Sequence, residues 1–313
     1  MQRSDPSLWA LIDTDSGPHT SLPTSSDLDS FLARIDIPTT AAQIALAENL
    51  DVLEVQRILG IYLNEVASGL QLITPYLQPH ARILEVGSGI GVLAAFLSCA
   101  GYHVVSLEPS TSGFDLMSAI RETLSQLWPD TTLVTLTIPA ERLDPTVHGA
   151  FDFVYSVNVL EHVDDLPSVL RSIHSVLAVG AKSVHMTPNY TIPYEPHFGL
   201  PLVPFRPGLT RILFPSRLGT SDVWESLNFV TGRGVRKIGK ELGLDISLSP
   251  GIVHSMSSRI LKDQIFRARH AALARLVLAV WNRPRIGVVV QAVLRKWPSA
   301  WASPMVFGWR RIN

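Results

Sequence analysis

Arg82-Ile83-Leu84-Glu85-Val86-Gly87-Ser88-Gly89-Ile90-Gly91-Val92-Leu93 decides the fold. Arg82 to Val86 carries the branched apolar residues of a buried parallel strand. Glycines at 87, 89 and 91 then remove the side chains where the backbone must turn sharply. A helix beginning near Ile90 points its free N–H groups and positive dipole end back at that turn. A polar ligand can therefore approach the backbone closely.

The spacing narrows the ligand. A dinucleotide fingerprint needs G-x-G-x-x-G, but Val92 stands where the third glycine belongs. That disfavours a nicotinamide oxidoreductase. The Gly-Lys-Ser/Thr of a phosphate loop is absent. Glu85, at the strand end, suits a cationic ligand and not a phosphate. E-x-G-x-G-x-G after a strand resembles motif I of the class I S-adenosylmethionine-dependent methyltransferases. The resemblance implies that Glu85, Gly87, Ser88, Gly89 and Gly91 hold the methionine part of that cofactor, with Glu85 facing its amino group.

Downstream residues extend the pattern. His103 to Leu107 reads as the second strand, and Glu108 at its end lies 17 residues beyond Gly91. Doubly wound folds place a ribose-binding acid near this separation, and Pro109 follows on the adenine side. Thr132 to Ile138 reads as the third strand, followed by Pro139-Ala140-Glu141. In the family this segment holds the adenine edge, with an acid before the alanine. Pro139 breaks that pattern, leaving Ala140 and Glu141 as the contacts. Phe151-Asp152-Phe153-Val154-Tyr155-Ser156 reads as the fourth strand, and Leu160-Glu161-His162-Val163 follows. Together these are similar to the methyltransferase subgroup acting on small molecules, including quinone-type and lipid-linked acceptors. Ser156, Asn158 and Leu160 are expected at the carboxyl edge of the sheet, where ligands bind. His162 either serves as a general base or orients the turn. His185, inside the fifth strand at Ala181 to Thr187, is expected to be packed.

Thr187-Pro188-Asn189-Tyr190 departs from the Asn/Asp-Pro-Pro-Tyr motif of amino-group methyltransferases acting on nucleic acid bases or glutamine. Residues 188–230 then interleave seven prolines with aromatic residues, which predicts a long irregular insert that binds the acceptor. Tyr190, Tyr194, His197 and Phe198 are its candidate contacts, and His197 is a second candidate base.

The 313 residues are 46% hydrophobic, enough for a substantial core, and carry a net charge of −1. That charge gives no reason to expect nucleic acid as a partner. The average hides an asymmetry: residues 259–313 hold 11 Lys and Arg against one acid, Asp263. Tryptophans 281, 297, 301 and 309 lie among these cations, a composition suited to an anionic membrane surface. A tail that packs on the acidic remainder is the alternative. The single Cys99 fits a reducing compartment. With no basic start and apolar run in residues 1–25, and no membrane-length apolar run, a cytoplasmic protein is expected, membrane-associated at most.

Residues 1–26 are rich in Ser, Thr, Asp and Pro and are expected to be loosely packed. Helices are expected over 27–80, with Ser26 as an N-cap and one or two pieces between Thr40 and Tyr76. A methyltransferase domain should span 81–258, closed by strands at Leu244–Leu248 and Ile252–Met256, with the tail at 259–313 outside it. The resemblance implies an α/β, Rossmann-like seven-stranded, mainly parallel sheet with helices on both faces, plus N-terminal helices and a basic helical tail. The implied activity is methyl transfer from S-adenosylmethionine to a small or lipid-linked acceptor, at oxygen or carbon. A methyltransferase-like binding module without turnover is the alternative. No metal site is expected.

Overall fold

The computed structural model describes residues 22–109, 115–129, 131, 133–219, 221–281 and 283–312. The expectation for residues 1–26 falls largely outside this range. A seven-stranded sheet has the order β3-β2-β1-β4-β5-β9-β8, where β1 is Arg82–Val86, β2 His103–Leu107, β3 Val134–Leu136, β4 Phe151–Val157, β5 Leu177–Thr187, β8 Ser247–Leu248 and β9 Met305–Arg310. β1 pairs in parallel with β2 and β4, and β2 with β3. β8 and β9 pair antiparallel. The sheet is therefore mainly parallel and Rossmann-like. The reversal of strand order between β1 and β4 is the switch point where such sheets bind ligands.

The described chain clusters into two compact units, one of residues 22–156, 168–183 and 311–312, the other of 157–167 and 184–310. In the first, helices α1 (Ser25–Leu32), α2 (Ile37–Glu48) and α3 (Val52–Ile73) precede the sheet. Thr24, not Ser26, caps α1: its hydroxyl accepts from Asp27 N at 3.2 Å while Asp27 Oδ2 accepts from Thr24 N at 2.8 Å. The long helical stretch breaks at Asn49, whose left-handed φ of 54° ends α2, and Asp51 caps α3. α3 buries Val55, Leu59, Leu63, Val66, Leu70 and Ile73, one face at helical spacing. Leu46, Leu50 and Leu53, part of the same apolar series in the sequence, are exposed because the break resets the helical phase. Ile83, Leu84, Glu85 and Val86 are all buried, as a central strand requires. Helix α4 (Val92–Cys99) follows the glycine turn and buries Val92 through Leu97. Helices α5 (Asp115–Ser125) and α6 (Leu166–Val176) complete the alternation of helix and strand.

The second unit differs from expectation in two respects. Ile252–Met256 is not a strand but part of helix α8 (Ile252–Lys262), which follows helix α7 (Gly232–Leu242). The strand paired with β8 is β9, drawn from the end of the basic tail. The sheet therefore does not close near residue 258. Trp309 and Phe307 are core residues of β9, and His185 stacks on Trp309 with ring centroids 5.1 Å apart. Between α8 and β9 lie α9 (Gln264–Arg269), α10 (Ala271–Trp281) and α11 (Pro284–Arg295).

The insert at 188–230 is not irregular throughout. β6 (Tyr194–Glu195) and β7 (Leu200–Pro201) form an antiparallel pair. Single helical turns follow at Thr210–Leu213, Pro215–Leu218 and Asp222–Glu225. Pro215 opens its turn, where a missing N–H costs nothing. Leu200, Leu202, Leu218, Trp224 and Leu227 make a core of their own, against which Tyr190, Phe198, Phe214 and Phe229 pack.

Candidate active site

The glycine turn sits between β1 and α4. Gly87 N and Ser88 N both donate to Leu107 O, at 2.7 and 3.2 Å, tying the turn to the end of β2. Gly87, Gly89 and Gly91 all have positive φ, from 53° to 75°, which side-chain-bearing residues rarely adopt. A Cβ on Gly89 would lie 2.8 Å from the Tyr62 ring, which α3 lays over the turn. Gly89 N donates to Glu108 Oε2 at 2.7 Å, and Arg121 Nε donates to Gly89 O at 3.0 Å. Ser106 Oγ donates to Ser88 Oγ at 2.5 Å.

Glu85 is the decisive group in this unit. It is buried, and its Oε2 makes no hydrogen bond of ordinary geometry among the described residues; the buried Tyr155 hydroxyl and the Ala94 N–H lie near enough to favour its ionised form. Burial pushes the Glu85 carboxyl up to about 8, and the nearby Glu108 adds to the shift. Burial also raises Glu108, opposed by the Gly89 N–H and by Arg121. A buried carboxylate with one oxygen left without a hydrogen bond among the described residues, beside a turn with glycines at 87, 89 and 91, suits a cationic, polar ligand. The chemistry of these residues fits S-adenosylmethionine: Glu85 would meet its ammonium, the glycines would let it approach the backbone, and Glu108 would meet its ribose hydroxyls.

This fit carries a pH prediction. Below about pH 8 the ligand-free Glu85 holds a proton. The free chain therefore loses the stability contributed by that proton as pH rises through 8. An ammonium brought beside the carboxyl favours its ionised form, so binding expels the proton. Calorimetric titration with S-adenosylhomocysteine at pH 7, in buffers of different ionisation enthalpy, should register up to about one proton released. Glu85→Gln should abolish the buffer dependence; a wild-type heat independent of buffer would remove Glu85 from ammonium binding.

The remaining residues expected at the cofactor divide. Pro109 directly follows Glu108. Ala140 and Glu141 form the single turn Ala140–Arg142; Ala140 is buried, and the Glu141 carbonyl accepts from Ser172 Oγ at 2.9 Å. Ser156 is buried near the end of β4. Asn158, with φ of 55°, donates its N–H to Met186 O at 2.8 Å, and Leu160 is buried. Asn158 and Leu160 belong to the second unit.

The second unit holds a polar cluster built around Leu160–His162. Asn228 clamps this turn: its N–H donates to Glu161 O at 2.8 Å, and its Nδ2 to Leu160 O and Val163 O at 2.7 and 2.9 Å. Glu161 is fully buried. Its Oε2 accepts from Thr187 Oγ at 2.8 Å, and its Oε1 accepts no hydrogen bond among the described residues. Oε1 lies 3.9 Å from both His162 Nε2 and His197 Nε2. His197 donates Nδ1–H to Glu195 Oε1 at 2.6 Å, and Phe198 N donates to Glu195 Oε2 at 2.7 Å. His162 Nδ1 lies 2.8 Å from Ser226 Oγ, whose own proton goes to Val223 O. A serine hydroxyl has one proton to give, so His162 Nδ1 carries the hydrogen. His162 thus presents an Nε2 lone pair, the atom that takes a proton or a metal ion, and His197 turns its Nε2 toward Glu161 Oε1.

Burial pushes Glu161 up to about 7, opposed by His197, and burial lowers His162 to about 4. Burial works to raise Glu195 too, but the hydrogen bond and charge of His197 and the Phe198 N–H hold it below the usual carboxylate range. Tyr190 donates to Glu195 Oε1 at 3.3 Å. Phe198 packs into the insert core, and Tyr194 bonds through its hydroxyl to His270 at 2.8 Å. His185 is buried against aromatic rings, as expected.

Sequence reasoning missed Tyr62, Arg121, Ser226 and Asn228, and reached Glu161 and Glu195 only as members of the stretches Leu160–Val163 and Tyr194–Phe198, with no role of their own. Only the carboxylates left a trace, each within two residues of a histidine already singled out. The others come from elements remote in sequence.

A doubly wound sheet, a glycine turn at its switch point, a buried acid at the end of β1 and a half-buried acid after β2 define a class I methyltransferase. Residues 58–246 match the family model described as a methyltransferase domain, and the chain belongs to that family. It is a methyltransferase that uses S-adenosylmethionine, which supplies a methyl group on a sulfonium. The chain is 31% identical over 199 residues to an uncharacterized protein of Mycobacterium tuberculosis, covering 61% of this chain and 67% of that one. It is 32% identical over 108 residues to a ubiquinone biosynthesis O-methyltransferase of Psychrobacter cryohalolentis, covering 34% and 41% of the two chains. Phosphoethanolamine N-methyltransferase 2 of Haemonchus contortus, solved with S-adenosyl-L-methionine, shares the fold at TM-score 0.50 and 15% identity. The match covers 79% of this chain and about half, 52%, of the nematode one.

Proposed function

We propose that the chain methylates a small or lipid-linked acceptor at oxygen or carbon, with the acceptor activated at the Glu161, His162 and His197 cluster. The observation that carries this reading is the convergence of a buried carboxylate and two oriented Nε2 atoms on one point. Glu195 holds His197 as the third member of a catalytic triad holds its histidine. Methyl transfer itself asks for alignment: proximity and orientation supply about 7–11 kcal/mol. A hydroxyl or acidic carbon must in addition lose a proton. Likeness to a ubiquinone biosynthesis O-methyltransferase favours a phenolic acceptor.

A lipid-linked acceptor fits the surface of α10 and α11. Leu276, Val288, Val289 and Val293 are exposed there, with Arg285, Arg295 and Lys296 exposed beside them. Among the described residues no helix is long and apolar enough to cross a membrane. Contact would be with the face of an anionic bilayer.

One assay tests both parts. S-adenosylhomocysteine release is measured with phenolic acceptors, free and carried in anionic vesicles. Turnover should appear, faster on vesicles, and Val288→Asp with Val293→Asp should remove the vesicle advantage alone. His197→Ala should lower turnover by about 10²–10⁴-fold with cofactor affinity unchanged. A His197→Ala rate equal to wild type would sink the acceptor-end assignment. Equal rates with and without vesicles would sink the lipid one.

A further inference from the structure

We infer that Glu161, His162 and His197 form a binding site for a divalent first-row transition-metal ion. Oε1 of Glu161 and Nε2 of His162 offer lone pairs once the carboxylate is ionised, and Nε2 of His197 offers a third when it gives up its proton. One ligand atom from each residue lies within 4.8 Å of the other two. A metal cation at their centre would replace the His197 proton and be held by all three atoms at once. Each group is also fixed from behind. Thr187 bonds the far oxygen of Glu161, Ser226 the Nδ1 of His162, and Glu195 the Nδ1 of His197. Metal-binding imidazoles are oriented in this way, by a partner on the second nitrogen. A buried carboxylate oxygen with no hydrogen bond is costly to keep, and a metal satisfies it.

The geometry needs little change. Tetrahedral ligands at zinc-like bond lengths lie about 3.4 Å apart, against 3.9 Å from Oε1 to each Nε2. Two imidazoles and one carboxylate suit zinc or manganese and not magnesium or calcium, which favour all-oxygen sets. Three protein ligands leave a position open for an acceptor oxygen. A hydroxyl bound there gives up its proton to solvent more readily, and its lone pair then attacks the methyl carbon as the carbon–sulfur bond breaks. The catalytic use of the ion rests on the acceptor reading above; the site itself rests on the cluster alone. Its ligands stand 35 and 36 residues apart along the chain, which is why the sequence shows no metal spacing.

The test is titration of the chelator-stripped full-length chain with Co²⁺, followed by its visible d–d absorption, with Zn²⁺, Mn²⁺ and Mg²⁺ as competitors. One Co²⁺ per chain should bind, displaced by Zn²⁺ and not by Mg²⁺. Glu161→Gln and His197→Gln should each weaken binding more than tenfold, and Ser226→Ala by about tenfold. Retained S-adenosylhomocysteine affinity certifies that each variant is folded. No cobalt spectrum in a folded wild-type chain, or one indifferent to both ligand substitutions, would overturn the proposal and leave the cluster holding a shared proton only. Full methylation by the stripped chain would overturn the catalytic use of the ion and spare the acceptor reading. Metal binding without methylation of any acceptor would overturn the acceptor reading, and the catalytic use of the ion with it, and spare the metal site.

Discussion

Gly89→Arg should abolish cofactor binding while the chain stays folded. Two independent effects act at this position. The backbone there has φ of 53°, where a residue with a Cβ is strained by about 1–2 kcal/mol. The added Cβ would meet Tyr62 Cε1 at 2.8 Å, closer than any side chain tolerates, so the ring or the turn must move. The turn cannot move freely, because Gly87 and Ser88 are bonded to Leu107 and Gly89 N to Glu108. Arg121 already lies against the same residue, and a second guanidinium beside it adds repulsion. A long cationic side chain would also compete with the ligand ammonium for Glu85 and Glu108. The expected fall in S-adenosylhomocysteine affinity is at least a hundredfold, about 2.7 kcal/mol. Calorimetric titration of wild type and variant checks it. Affinities within threefold of each other would mean that the ligand does not approach the turn.

Trp309→Ala should cost about 3–5 kcal/mol of folding stability, the usual loss for a buried tryptophan. Only 2% of Trp309 is exposed. Its ring stacks on His185, which burial drives down to about 3 and so keeps neutral. Phe307 packs on the same histidine, with centroids 5.3 Å apart. Alanine would leave a cavity between two strands of the sheet. Trp309→Phe should cost much less, because the Trp309 Nε1 has no hydrogen-bond partner among the described residues. Urea unfolding followed by circular dichroism measures both. A Trp309→Ala loss below about 1 kcal/mol would mean that β9 is dispensable. By the same argument, removal of residues 259–313 should unfold the sheet edge, so membrane contact is better probed by surface substitutions on α11.

The glycine turn and its strand-end acid are local in sequence, and so their geometry is legible there. Glu85, Gly87, Ser88, Gly89 and Gly91 fall within seven residues, and strand, turn and helix dictate what each can do. Glu108 is reached through one further strand, whose length is set by the sheet. The acid-and-imidazole cluster was only half visible. His162 and His197 could be named as chemically able, but nothing in the pattern said that they meet. Their meeting depends on Asn228 clamping the 160–163 turn, on the β6–β7 hairpin bringing Glu195 to His197, and on Thr187 at the end of β5. The last strand was misplaced for a similar reason. Met305–Arg310 follows four helices and a run of cations, so its apolar residues read as part of a basic tail. Its partner β8 lies almost sixty residues earlier in the chain. Short-range periodicity carries no information about a pairing at that separation; the packing of Phe307 and Trp309 on His185 decides it.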